Sequence, residues 1–88
     1  MSMKGVSVAS LKSMTFEATQ EAYNNAICTL NNEFINGDLD KDEVSSKIYE
    51  LMDERADLSK LSVGELSARK DKVQLEVDNF LKEKYKNT

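Results

Sequence analysis

Hydrophobic side chains recur every three to four positions along three successive stretches of this chain, the period of a helix with one buried face. In the first stretch Phe16, Tyr23, Ile27, Leu30 and Phe34 fall within a narrow arc, and Ala18, Ala22 and Ala26 widen it to nearly half of the helix. Val44, Ile48, Leu51, Met52 and Leu58 share a face in the second. Leu66, Val73, Val77, Phe80 and Leu81 do so in the third, with Tyr85 at the margin. An apolar face of this width serves two neighbours, so the three stretches are expected to pack on one another.

The boundaries come from turn chemistry. Gly37 is placed to end the first helix in the left-handed conformation, and Asp40 follows as an N-cap with Glu43 three residues on, flanked by Leu39 and Val44 as a hydrophobic staple. The same device recurs with Ser62 and Glu65, flanked by Leu61 and Leu66. These signals predict helices over 15–36, 41–58 and 63–86, joined by links of about four residues that force consecutive helices to run antiparallel. The expected fold is all-α, a small antiparallel three-helix bundle over 15–88. The alternative is a helical hairpin whose third helix engages a partner chain. Residues 1–14 read as a flexible leader, rich in Ser and Met, with Lys4 and Lys12 and no acidic side chain. Its apolar residues Met3, Val6, Val8, Leu11 and Met14 offer a second reading, in which the first helix is prolonged or the segment packs on the bundle.

Composition narrows the chemistry. The chain of 88 residues has no histidine, tryptophan or proline and a single cysteine, so histidine-dependent nucleophile arrangements and an internal disulfide are excluded. The three glycines, Gly5, Gly37 and Gly64, lie too far apart for a phosphate-binding loop. Three short helices seldom enclose a small-molecule pocket, so no enzymatic activity, cofactor or small-molecule substrate is expected. Asp38, Asp40 and Asp42 have the alternate spacing of a calcium loop, but Glu43 stands where glycine is wanted and Tyr49 where a bidentate carboxylate closes the site. Helix capping accounts for these acids, and no metal site is expected. No stretch approaches the ~18 consecutive apolar residues of a membrane span, and no secretory leader is evident, which places the chain in the cytoplasm unless it is exported without a cleaved signal.

Charge is unevenly spread around a net of −4. Residues 38–60 hold eight acids and four bases, residues 61–88 five acids and six bases, and residues 15–36 three acids and no base. The basic runs at 69–72 and 82–86 suit the end of a solvated helix, and a nucleic-acid partner is disfavoured by the overall sign.

Two breaks in the pattern point to a partner. Arg55 projects from the apolar face of the second helix between Leu51 and Leu58. It is expected either to reach the rim on its aliphatic stem, to pair with an internal carboxylate, or to meet an acid on another chain. The outer face of the first helix carries no charge between Glu21 and Glu33, only Asn24, Asn25, Asn31, Asn32, Cys28 and Thr29 among small and apolar residues, with Ile35 on the same side as Cys28. Interfaces are depleted of charge and free helix surfaces are not. Asn24, Cys28, Asn31, Asn32, Ile35, Arg55 and the outward Leu75 are therefore the candidate partner interface. The expected function is a non-enzymatic protein–protein interaction module, a small adaptor, regulator or chaperone-like protein that binds another protein or a second copy of itself as a homodimer. The alternatives are a self-assembling or exported structural subunit of a secretion or phage system, and a nucleic-acid-binding regulator using the basic C-terminal helix.

Overall fold

The computed structural model describes residues 8–86. It is an all-α three-helix bundle: α1 spans Val8–Asn36, α2 Lys41–Ala56 and α3 Val63–Lys86, with a 3₁₀ turn at Leu58–Lys60 between α2 and α3. The expected α3 is matched at both ends. α2 ends two residues early, because Asp57 and Leu58 enter the tighter turn, where the Asp57 N–H reaches the Glu54 carbonyl and the Lys60 N–H the Asp57 carbonyl.

α1 begins at Val8, seven residues before the expected start at 15. Residues 8–14 of the expected leader are thus helical, and 1–7 lie outside the described residues. The physical reason is that 9–14 (ASLKSM) contains good helix formers and no glycine or proline, so extension of an existing helix is cheap. Leu11 and Met14 remain exposed along this extension. At the other end of α1 the expectation for Gly37 is corrected: no described glycine has a positive φ. Gly37 continues the helical bonding, its N–H donating to the Glu33 carbonyl at 2.8 Å. What requires glycine is proximity, since a Cβ at this position would stand 2.7 Å from the Glu33 carbonyl oxygen.

Both helix starts are capped, with one difference. Ser62 and Glu65 form the full reciprocal box, Glu65 N–H to Ser62 Oγ at 3.2 Å and Ser62 N–H to Glu65 Oε1 at 3.0 Å. Asp40 accepts from the N–H groups of Asp42 (2.8 Å) and Glu43 (3.1 Å), but the Glu43 carboxylate does not return to the cap; it reaches across to Lys84 instead. The staples hold at both sites, with Leu39, Val44 and Leu66 buried and Leu61 half-buried.

α1 is the spine of the bundle. α2 and α3 each pack along it and hardly approach one another's backbones. Polar contacts fix the directions. α1 and α3 run parallel, as Thr19 meets Leu66, Tyr23 meets Arg69 and Glu33 meets Tyr85. α2 runs antiparallel to α1, as Tyr23 meets Glu54 and Phe34 meets Lys41. The core consists of Tyr23, Ala26, Ile27 and Leu30 from α1, Val44 and Leu51 from α2, Leu39 and Leu58 from the links, and Leu66, Val73 and Val77 from α3. Each fully buried leucine in this set contributes about 1.5–3 kcal/mol by leaving water. Thr19 is the one buried polar side chain among the described residues; its hydroxyl lies 2.7 Å from the Thr15 carbonyl and 3.0 Å from that of Leu66.

Candidate partner-binding site

The two long seams of α2 differ in chemistry. Where α2 faces α3, the gap is bridged by ion pairs. Glu43 meets Lys84 at 2.8 Å, Lys47 meets Glu76 at 2.7 Å and Glu50 at 2.8 Å, and Arg69 stands 3.5 Å from Glu54. The ammonium groups of Lys47 and Lys84 lie 5.8 and 5.7 Å from the centre of the Phe80 ring. The Tyr23 hydroxyl closes the ladder from α1, donating to Glu54 Oε1 at 2.8 Å and accepting from Arg69 at 3.3 Å. Burial pushes the Tyr23 phenol above its ordinary pKa; the bond from Arg69 opposes this and the one to Glu54 adds to it. Burial also works against the charge of Lys47, but its bonds to Glu50 and Glu76 outweigh that and raise its pKa.

A surface groove of about 620 Å³ runs along this seam, lined by Asp42, Glu43, Ser46, Lys47, Glu50, Phe80 and Lys84. Carboxylates of Glu50, Glu54 and Glu76 converge nearby, with ligand oxygens within 4.8 Å of one another. Two of the three already hold the Lys47 ammonium, so a cation is present in the cluster. The seam is therefore a self-satisfied electrostatic zip. Arg69 and Lys84, members of the two basic runs in the C-terminal helix, are consumed in it.

Where α2 faces α1, the lining is apolar. A groove of about 480 Å³ is formed by Ile27, Asn31 and Phe34 of α1 and by Ser45, Ile48, Tyr49, Met52 and Arg55 of α2. Tyr49 is 64% exposed and Met52 39% exposed on its rim. Among the lining residues only Arg55 carries a charge. Its guanidinium donates to the Asn24 amide oxygen at 2.6 Å, and among the described residues no carboxylate pairs with it. Within the chain, the arginine reaches the rim on its stem with a neutral acceptor at its tip and has no internal carboxylate among the described residues; the expectation of an acid on another chain stands apart from this geometry. At the other end of the groove Lys41 lies 4.9 Å from the Phe34 ring centre and donates to the Phe34 carbonyl.

The structure therefore gathers part of the predicted interface. Asn24, Asn31 and Arg55 meet at the α1–α2 groove. Cys28 and Ile35 are exposed on the adjoining strip of α1, each four residues along from a groove-side asparagine; Ile35 is 69% exposed. Asn32 is exposed on the far side of that strip and lines no groove described here. Leu75 is 59% exposed on the outer face of α3 and is not brought to this surface. Phe34, Ile48 and Met52 belong to the stripes expected to form the core, and Tyr49 enters the sequence reading only as the residue that fails to close a calcium loop. Their signal was present in the width of the second stripe: Met52 lies beyond what α1 and α3 can cover, and Tyr49 sits one turn before it on the same edge.

Comparison of the chain with protein-family models, with curated proteins and with solved structures finds no significant match. No helix among the described residues is long and apolar enough to cross a membrane.

Proposed function

We propose that this chain is a non-enzymatic protein–protein interaction module that receives a partner in the groove between α1 and α2. The observation that carries this reading is the composition of that groove. Tyr49, Phe34, Met52 and Arg55, residue types enriched at interfaces, line it together with Ile27, Ile48, Asn31 and Ser45, while lysine, glutamate and aspartate are absent from the lining. The opposite seam of α2 makes the contrast, since its charges are already matched within the chain. A small adaptor or regulator is the role that such a two-sided bundle fits.

The test is site-specific photocrosslinking in cells that express the protein. A photoreactive residue at position 49, on the groove rim, is compared with one at position 70, exposed on α3. Crosslinked products at 49 that are absent at 70 support the reading. Equal labelling at both positions, or none at 49, refutes it. Sedimentation across a hundredfold concentration range separates this role from a self-assembling subunit, in which larger species grow with concentration.

A further inference from the structure

The cations of α2 divide by seam. Lys47, facing α3, holds two carboxylates. Arg55 and Lys41, bordering the α1–α2 groove, end on neutral oxygens, the Asn24 amide and the Phe34 carbonyl. A guanidinium has five N–H donors arranged to grip a carboxylate with two of them, and an amide oxygen satisfies this fork only in part. Here that guanidinium stands at one end of an apolar groove, beside exposed Met52 and Tyr49. Ser45 and Arg55, the outermost α2 residues of its lining, are ten residues apart, so the groove runs about 15 Å along α2, the length of nearly three helical turns.

Building on the interaction-module reading, we propose that the occupant is an amphipathic helix of a different protein that spans the groove over about ten residues, lays its apolar face on Met52, Ile48 and Phe34 and delivers one carboxylate to Arg55. The carboxylate displaces the Asn24 amide as the acceptor for Arg55. The net charge of −4 limits the partner to a single well-placed acid, because a run of acids would be repelled by the molecule as a whole. The partner's recognition signature is therefore apolar residues at helical spacing with one aspartate or glutamate near the end that meets Arg55.

The test is a selection from a phage-displayed library of fourteen-residue amphipathic helices against the full chain. Selected peptides are then measured by fluorescence anisotropy against wild-type protein, Met52→Lys and Arg55→Gln, each first shown to fold by circular dichroism. The expected result is enrichment of apolar residues at i, i+3 or i+4, and i+7 together with one acid at a fixed position. Binding is lost in Met52→Lys and weakened at least about tenfold in Arg55→Gln, and replacing the peptide acid by its amide gives no further loss in that variant. Peptides that need Met52 but show no fixed acid, or that bind Arg55→Gln as well as wild type, overturn the carboxylate inference and leave the groove reading intact. Peptides indifferent to Met52→Lys, or no enrichment at all, overturn both. Self-association that vanishes in Met52→Lys overturns the inference by making a second copy the occupant.

Discussion

Replacing Tyr23 with phenylalanine removes one oxygen from a side chain that is 1% exposed and leaves the packing volume almost unchanged. Its hydroxyl donates to the Glu54 carboxylate at 2.8 Å and accepts from Arg69 at 3.3 Å. A hydrogen bond to a charged group contributes about 1.5–3 kcal/mol when buried. Glu54 and Arg69 are partly exposed here, at 28% and 44%, and remain able to close their own 3.5 Å gap once the hydroxyl is gone, so the net loss falls toward the lower end. We expect Tyr23→Phe to cost about 1.5 kcal/mol, which for a domain of this size lowers Tm by roughly 6–12 °C. The substitution also carries a pH signature. Burial raises the Tyr23 pKa above the ordinary value of 10.0. The folded state therefore keeps its phenol proton where the unfolded chain releases it, and this contribution is complete below about pH 10 and lost as pH rises through the folded value. Lys47, also raised, loses its contribution in the same alkaline window, but it does so in both proteins and cancels in the difference. Thermal unfolding followed by circular dichroism from pH 8 to 11.5 should show wild type losing stability faster than Tyr23→Phe above pH 10, with the two curves converging. A variant as stable as wild type at pH 8, or a constant difference across the range, would refute the view that this hydroxyl joins the three helices.

Three further outcomes follow from the geometry. Gly37→Ala should destabilise by about 1–3 kcal/mol, because its Cβ would crowd the Glu33 carbonyl, whereas Gly64→Ala, which meets nothing within 4 Å, should stabilise by about 0.4–1 kcal/mol; urea unfolding of both variants gives the two signs. A double-mutant cycle at Ser62 and Glu65 should reveal coupling between the pair, and the same cycle at Asp40 and Glu43 only the loss of the Asp40 cap, about 0.5–2 kcal/mol, since Glu43 serves Lys84 instead. Arg55→Leu should leave the isolated chain as stable as wild type or more so, because its guanidinium bonds only to a neutral amide near the surface; a loss above about 1 kcal/mol in chemical denaturation would show that the arginine is part of the scaffold.

Local rules were enough to place most of the helical framework. Ser62 and Glu65 lie within three residues of each other, and a capping box depends on nothing further away. The stripes through Leu30, Leu51 and Val77 are periodic because each helix buries one side, so their burial was legible before any packing was known. Alanine at 9 and leucine at 11 were equally visible, yet whether a helix extends over them depends on propagation from the ordered turns that follow, which boundary signals do not report. Gly37 illustrates the same limit: its position was readable, but the carbonyl that excludes a side chain belongs to the folded turn.

The candidate site was legible only in part. Composition along α1 marked a face without charge, and periodicity marked Arg55 as misplaced. Pairing decided the rest. Glu43 matches a local box, yet its carboxylate pairs with Lys84, forty-one positions away on a neighbouring helix, a partner that no local spacing reports. Tyr49 and Met52 became a groove rim only because α3 lies on the other flank of α2, a consequence of the up-down-up path. Sequence alone determined which residues wind into helices and which side of each is apolar, since those properties are set within a few turns. Which apolar edge stays uncovered, and which charges cancel, was decided by the tertiary arrangement, because both depend on groups brought together from distant positions in the chain.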